Sequence, residues 1–159
     1  MKNIYDIQGF YCSYGAMFNQ SDSWLGKIIL NPDKTFEGVV KENTGNSLEF
    51  VFGKITDNNK LDLIKTTKGD SRLPYHFLTE NTETSYRGNY FVKAEDNEFP
   101  LGEAKINLMA ADKTREITST EETRLDAEIL LAKIALGPIS QEIYEEYQLS
   151  KNKVKEKSI

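Results

Sequence analysis

Apolar and polar residues alternate with a period of two along most of this chain, in short runs separated by clusters of turn-forming residues. That pattern restricts the fold, because successive side chains point to opposite faces only in an extended strand. From Thr35 to Glu42, Phe36, Gly38 and Val40 point one way while Glu37, Val39 and Lys41 point the other. Leu48, Phe50 and Phe52 repeat the pattern, as do Leu61 and Leu63 on either side of Asp62. Between these runs lie Asn31-Pro32-Asp33-Lys34, Asn43-Thr44-Gly45-Asn46 and Asp57-Asn58-Asn59-Lys60. Such residues accept positive φ or bond their own backbone, which marks hairpin turns. Further strands are predicted at Ile4 to Phe18, Trp24 to Leu30, Leu73 to Glu80, Thr84 to Val92 and Leu101 to Met109, about eight in all.

With no helical pattern between the strands, sequential antiparallel pairing is favoured over a parallel sheet with crossover helices. An open meander of this length leaves two edges unpaired, and closing it satisfies their backbone groups. The fold class read from the chain is therefore mainly β, an antiparallel up-and-down barrel of about eight strands followed by one or two C-terminal helices. Glycines within strands, Gly9, Gly26, Gly38, Gly53, Gly88 and Gly102, suit the bends of a small barrel, and a sandwich can use them equally. After Ala111 the pattern changes. Ser119-Thr120-Glu121-Glu122 has the spacing of a helix-start capping box, and Leu125, Ile129, Ala132 and Leu136 recur at helical intervals before Gly137-Pro138. Ser140 opens a second helical stretch with Ile143, Tyr144 and Tyr147 on one face, and Lys151 to Ile159 reads as frayed. This divides the chain into a barrel over 1–111 and a helical extension over 112–159. The helices are expected to cover a barrel mouth, lie against its outside, or form a dimer contact, since an amphipathic helix gains most of its stability from packing.

Composition narrows the partners. Among 159 residues, 25 acidic against 20 basic side chains give a net charge of −5 and no basic stripe, which argues against a nucleic-acid binder. Eight Tyr and eight Phe supply the bulky apolar surface that a disordered chain lacks. A lone Cys12 cannot form an internal disulfide, and neither a signal-peptide stretch nor a membrane-spanning run is visible, so a cytoplasmic protein without a membrane partner is expected.

The hairpin runs Phe36-Glu37-Gly38-Val39-Val40, Leu48 to Ile55 and Leu61 to Lys65 resemble the repeated hairpins of calycin barrels, the group of lipocalins, fatty-acid-binding proteins and streptavidin-like proteins. Ile7-Gln8-Gly9-Phe10-Tyr11 is similar to that group's Gly-x-Trp opening strand, with Tyr11 in the usual Trp position. Ser85-Tyr86-Arg87-Gly88-Asn89-Tyr90 repeats the Gly-x-aromatic spacing, so the resemblance covers about residues 4 to 110. It implies a closed barrel with a ligand cavity, in a family that also contains inhibitors and enzymes.

Tyrosine is the most suggestive residue type, because an inward ring offers apolar contact and one hydroxyl together. The residues expected to line a ligand site are Tyr11, Phe36, Phe50, Tyr75, Phe77, Tyr86 and Tyr90. Arg87 alternates with Tyr86 and so faces solvent, and Arg72 precedes Leu73. His76 is the sole group titrating near neutrality, and it is expected to be a surface or hydrogen-bonded histidine on the face opposite Tyr75 and Phe77. Cys12 is expected to be a buried inert thiol, Trp24 a packing anchor, and the sequon-like Asn19-Gln20-Ser21 without meaning. Glu121, Glu122, Asp126 and Glu128 form the wet side of a helix. Neither a zinc set nor a complete calcium loop is present, and no phosphate loop or nucleophile elbow, so no metal and no cofactor are expected. The leading expectation is a non-enzymatic calycin-like binder of a small, mostly apolar molecule. Two rivals stand beside it: a protein-interaction module docking a partner or second copy through the Leu125 to Leu136 helix, and an isomerase or lyase with His76 or a tyrosine as proton donor.

Overall fold

A computed structural model describes residues 3–15, 22–67, 73–110 and 119–157. Eight strands follow in order: β1 (Asn3–Ser13), β2 (Asp22–Leu30), β3 (Thr35–Glu42), β4 (Leu48–Ile55), β5 (Lys60–Lys65), β6 (Tyr75–Asn81), β7 (Tyr86–Ala94) and β8 (Asn97–Ala110). Each pairs antiparallel with the next, and β8 returns to pair with β1, closing the barrel. The up-and-down barrel expected from the alternation is therefore the observed fold. The first predicted strand ends at Ser13, and its expected continuation through residues 16–18 lies outside the described residues, as does the boundary drawn between residues 111 and 112.

The turns use the residue types that singled them out. Lys34 and Asn59 adopt positive φ, of 68° and 57°, and their amides donate to Asn31 O at 2.9 Å and Thr56 O at 3.0 Å. A register shift between Tyr90 and Phe91 re-aims the end of β7.

Cross-strand partners share a face, so the register fixes which side chains enter the barrel. Gly26 pairs with Val40 and Gly38 with Ile28, on the inner face. Here the strands coil so closely that the neighbouring backbone occupies the place of a side chain. A Cβ on Gly26 would stand 2.7 Å from Val40 Cα and clash with the Val39 carbonyl oxygen, and one on Gly38 would stand 2.7 Å from Ile28 Cα. Gly9 differs, because the Trp24 ring lies flat where its Cβ would be. The enclosed space is filled by one continuous core that includes Ile7, Trp24, Ile28, Phe36, Leu61, Leu63, Phe77, Tyr90 and Ile106.

Two helices, α1 (Ser119–Ile134) and α2 (Pro138–Lys157), lie against the outside of the barrel rather than over a mouth. Pro138 opens α2, where its missing N–H costs nothing. The second helix runs through to Lys157, so the stretch read as frayed is helical as far as that residue. Leu125 and Ile129 of α1 bury against Ile29, Val39, Phe50 and Phe52, and Tyr144 of α2 packs at 5.1 Å and 5.2 Å from the Phe50 and Phe52 rings. Polar contacts lock the same seam. Lys133 Nζ lies 2.7 Å from Glu37, Tyr144 donates its hydroxyl to Glu37, and Tyr147 donates to Gly53 O at 2.8 Å.

Because the obstruction at Gly38 is backbone, no rotamer change relieves it. Gly38→Ala should lower the free energy of unfolding by about 3 kcal/mol in urea titrations, whereas Gly45→Ala, whose Cβ meets only ordinary contacts, should change it by less than about 0.5 kcal/mol. Equal effects would mean the strands do not approach as described.

Candidate functional site

The structure brings six of the expected site residues into the barrel interior and leaves one outside. Tyr11, Tyr75, Phe77 and Tyr90 meet at the end where β1, β3, β5 and β7 finish. Ring centroids are 5.1 Å apart for Tyr11 and Tyr90, 5.8 Å for Tyr75 and Tyr90, and 5.6 Å for Phe77 and Tyr90, and Trp24 stands 5.7 Å from Phe77. Phe36 and Tyr86 belong to the same core nearer the opposite end. These rings touch one another across the barrel rather than standing apart around a hollow.

Phe50 is the exception. It pairs with Val39 and so shares that residue's outward face, where α1 and α2 cover it. The inward residues of β4 are Glu49, Val51 and Gly53, partners of Val40, Gly38 and Phe36, and Ile55, partner of Leu61. The strand is apolar on both faces because both are buried, and alternation within one strand cannot decide which face belongs to the barrel.

Above the rings sits a charged cluster that the sequence reading did not single out. Lys65, only 1% exposed, places Nζ 2.7 Å from Glu42 and 3.2 Å from Glu49. It also lies 5.3 Å above the Tyr75 ring. The Tyr11 hydroxyl donates to Glu42 at 3.0 Å, and the Ser13 and Tyr90 hydroxyls are 3.1 Å apart. Burial and the adjacent Glu42 charge push the Tyr11 hydroxyl well above the ordinary phenol range, so it stays protonated. The signal was present: Lys65 shares parity with Leu61 and Leu63, Glu42 with Phe36 and Val40, and period two points all of them inward. The cluster joins β1, β3, β4 and β5 at one barrel end. Removing Lys65 would take away the cation that both partly buried carboxylates face.

A second arrangement lies outside the barrel. Between the outer face of β4 to β7 and the C-terminal half of α2 runs a groove of about 710 Å3, whose lining includes Asp62, Ile64, His76, Leu78, Phe91 and Tyr147. Ile64 pairs with His76 and Asp62 with Leu78, so Asp62 and His76 are diagonal neighbours on one face. The His76 ring stacks on Phe91 with centroids 5.3 Å apart and planes 14° from parallel. Asp62 Oδ1 and His76 Nε2 are buried with no hydrogen-bond partner among the described residues. Burial, with a contribution from the Lys93 charge, pulls His76 from its usual 6.5 down to about 4, and burial raises the Asp62 carboxyl above its usual value. His76 was expected to be exposed or hydrogen-bonded. It is half-buried and stacked on Phe91, with Nε2 unbonded among the described residues.

Other expectations fall out plainly. Arg87 is exposed, and Trp24 is 1% exposed as a packing anchor. Cys12 is half-buried on the outer face of β1, not in the core, because it alternates with Tyr11. Arg72 and Asn19-Gln20-Ser21 lie outside the described residues. No three His, Cys, Asp or Glu side chains converge as metal ligands among the described residues. No family model matches the chain, and neither a curated protein nor a solved structure gives a significant match. The eight-stranded closed barrel with C-terminal helices is consistent with a calycin-like fold.

His76 gives the groove a measurable signature. Its imidazole resonances should titrate with a midpoint near 4. Because that folded value lies below the ordinary 6.5, unfolding takes up a proton between the two. Stability should therefore fall as pH drops from 6.5 towards 4, with no contribution above 6.5, and His76→Gln should remove that part of the decline. A midpoint near 6.5 would show the groove wall to be wet.

Proposed function

We propose that this protein is a non-enzymatic, calycin-like binder of a small, mostly apolar molecule, working in the cytoplasm, and that the ligand occupies the groove beneath α2 rather than the barrel interior. The observation that carries this reading is the contrast between the two spaces. The interior is a continuous ring-filled core, whereas the groove has the volume of a small-molecule site and an apolar floor of Ile64, Leu78 and Phe91, with polar side chains around it, Lys54, Asp57, Asp62 and Lys93 among them. A proton-transfer enzyme finds less support. His76 and Tyr75 are adjacent in β6 and so project to opposite faces, and the Tyr11 hydroxyl is committed to Glu42. No helix among the described residues is long and apolar enough to cross a membrane. The outer face also carries charged pairs such as Lys27 with Asp6 and Lys60 with Glu80, while the inner face is apolar, the reverse of a lipid-embedded barrel.

Nile red fluorescence distinguishes the two locations. Leu78 is 50% exposed, so Leu78→Trp fills the groove at little cost to the fold. It should weaken dye binding by about tenfold, with Tyr11→Phe leaving it unchanged. The opposite pattern would place the ligand at the barrel mouth and overturn the groove reading.

A second reading, a protein-interaction module, draws on α1. The predicted apolar face of Leu125 and Ile129 is spent on the barrel, yet Leu130, Leu131 and Ile134 remain 58%, 67% and 73% exposed. If that face docks a second copy, light scattering should report a dimer that Leu131→Glu converts to monomer, and a monomeric wild type would exclude it.

A further inference from the structure

The unbonded atoms in the groove wall say what kind of molecule fits there. Resting on the groove as the binding site, we infer that its ligand is a flat aromatic heterocycle with an amino group, lying on Ile64 and Leu78 beside the His76–Phe91 stack and donating N–H hydrogen bonds to Asp62.

Three observations converge on that class. The first is shape: the floor is built from one sheet face, and the stacked imidazole and phenyl rings form a flat apolar wall beside it. A planar ring system covers such a surface with little loss of conformational freedom. The second is hydrogen bonding. A buried acceptor without a partner carries its full desolvation cost, so the group that pairs it recovers that cost on binding. Asp62 offers a carboxylate oxygen of this kind, an acceptor that only a donor can satisfy. His76 stands diagonal to it, and as a neutral imidazole it pairs through Nε2 with either a ring nitrogen or a second N–H. Both residues are half-buried, while these two atoms are themselves covered, so a side-chain rotation must accompany binding to bring them to the ligand.

The third observation is charge. On the β5 face Asp62 has Lys54 and Lys60 as its nearest cations, and neither forms an ion pair with it. Lys60 is engaged by Glu80 at 3.3 Å. Further along the groove Lys93 is engaged by Glu98 at 3.8 Å, and Lys34 by Asp57 at 3.8 Å. Lys60, Lys93 and Lys34 are thus partly neutralised by carboxylates other than Asp62, while Lys54, its cross-strand partner, acts on it without a hydrogen bond, so Asp62 keeps an acceptor open to a cationic donor. An amino-heterocycle, whose N–H edge becomes cationic on protonation, complements it through charge-assisted bonds. A ligand carboxylate placed there would instead face Asp62 as a like charge.

Three ring-matched probes added to the ¹⁵N-labelled full chain test the assignment: 2-aminoquinoline, 2-methylquinoline and naphthalene-2-carboxylate. The amino probe should shift the amide resonances of Asp62, Ile64, His76 and Leu78. It should bind about tenfold more tightly than the methyl probe, with the carboxylate weakest. Asp62→Asn should bring the amino probe down to the affinity of the methyl probe. If the methyl and amino probes bind the groove equally, or the Asn variant changes nothing, the ligand class is wrong while the groove stands as a site. If none of the three shifts the groove resonances, the site itself is refuted. The comparison among probes on the wild-type chain decides the matter even if Asp62→Asn fails to fold.

Discussion

The close approach of neighbouring strands at inward glycines determines the rest of this molecule. Where a Cβ on Gly26, Gly38 or Gly53 would sit, the backbone of the next strand is already present. An eight-stranded barrel must coil steeply to close, and its concave surface crowds side chains where the coil is tightest. Omitting the side chain there lets the strands come together around a narrow lumen. Large rings, Trp24, Phe36, Phe77 and Tyr90 among them, then pack into it as one continuous core.

The groove proposed as the binding site lies outside this core. β4 is apolar on both faces, and the outer one, with Phe50 and Phe52, is covered by α1 and α2. The tyrosines of α2 anchor it to the sheet, Tyr144 through Glu37 and Tyr147 through the Gly53 carbonyl, and the helix continues past this seam beside β5 and β6. The space left under its C-terminal half is the groove. One short sequence feature serves both sides of the wall: Gly53 lacks a side chain inside, and outside it offers its carbonyl to Tyr147.

Most of the architecture was legible in the sequence, because period-two alternation and turn chemistry are local properties. β3 and β4 coincide with the runs read from alternation, and Lys34 and Asn59 stand at positive φ inside turns marked by composition. Registration between strands was not legible. Phe50 was grouped with Phe36 because both alternate correctly within their own strands, yet the pairing of Val39 with Phe50 turns the latter outward. The Lys65 cluster was readable by parity and went unread, since a lysine ending a strand ordinarily faces water. The groove was invisible for a different reason. It exists only because α2 docks at one place on the sheet, and nothing local to Asp62 or His76 announces a helix passing over them.

Xenon enters dry apolar cavities and shifts the methyl resonances that line them, so methyl spectra under xenon pressure test the solid interior directly. The Ile7, Ile28, Val40 and Leu61 methyls, all buried within the barrel, should not move as the pressure rises. Saturable shifts at those methyls would reveal a hollow centre and contradict the account.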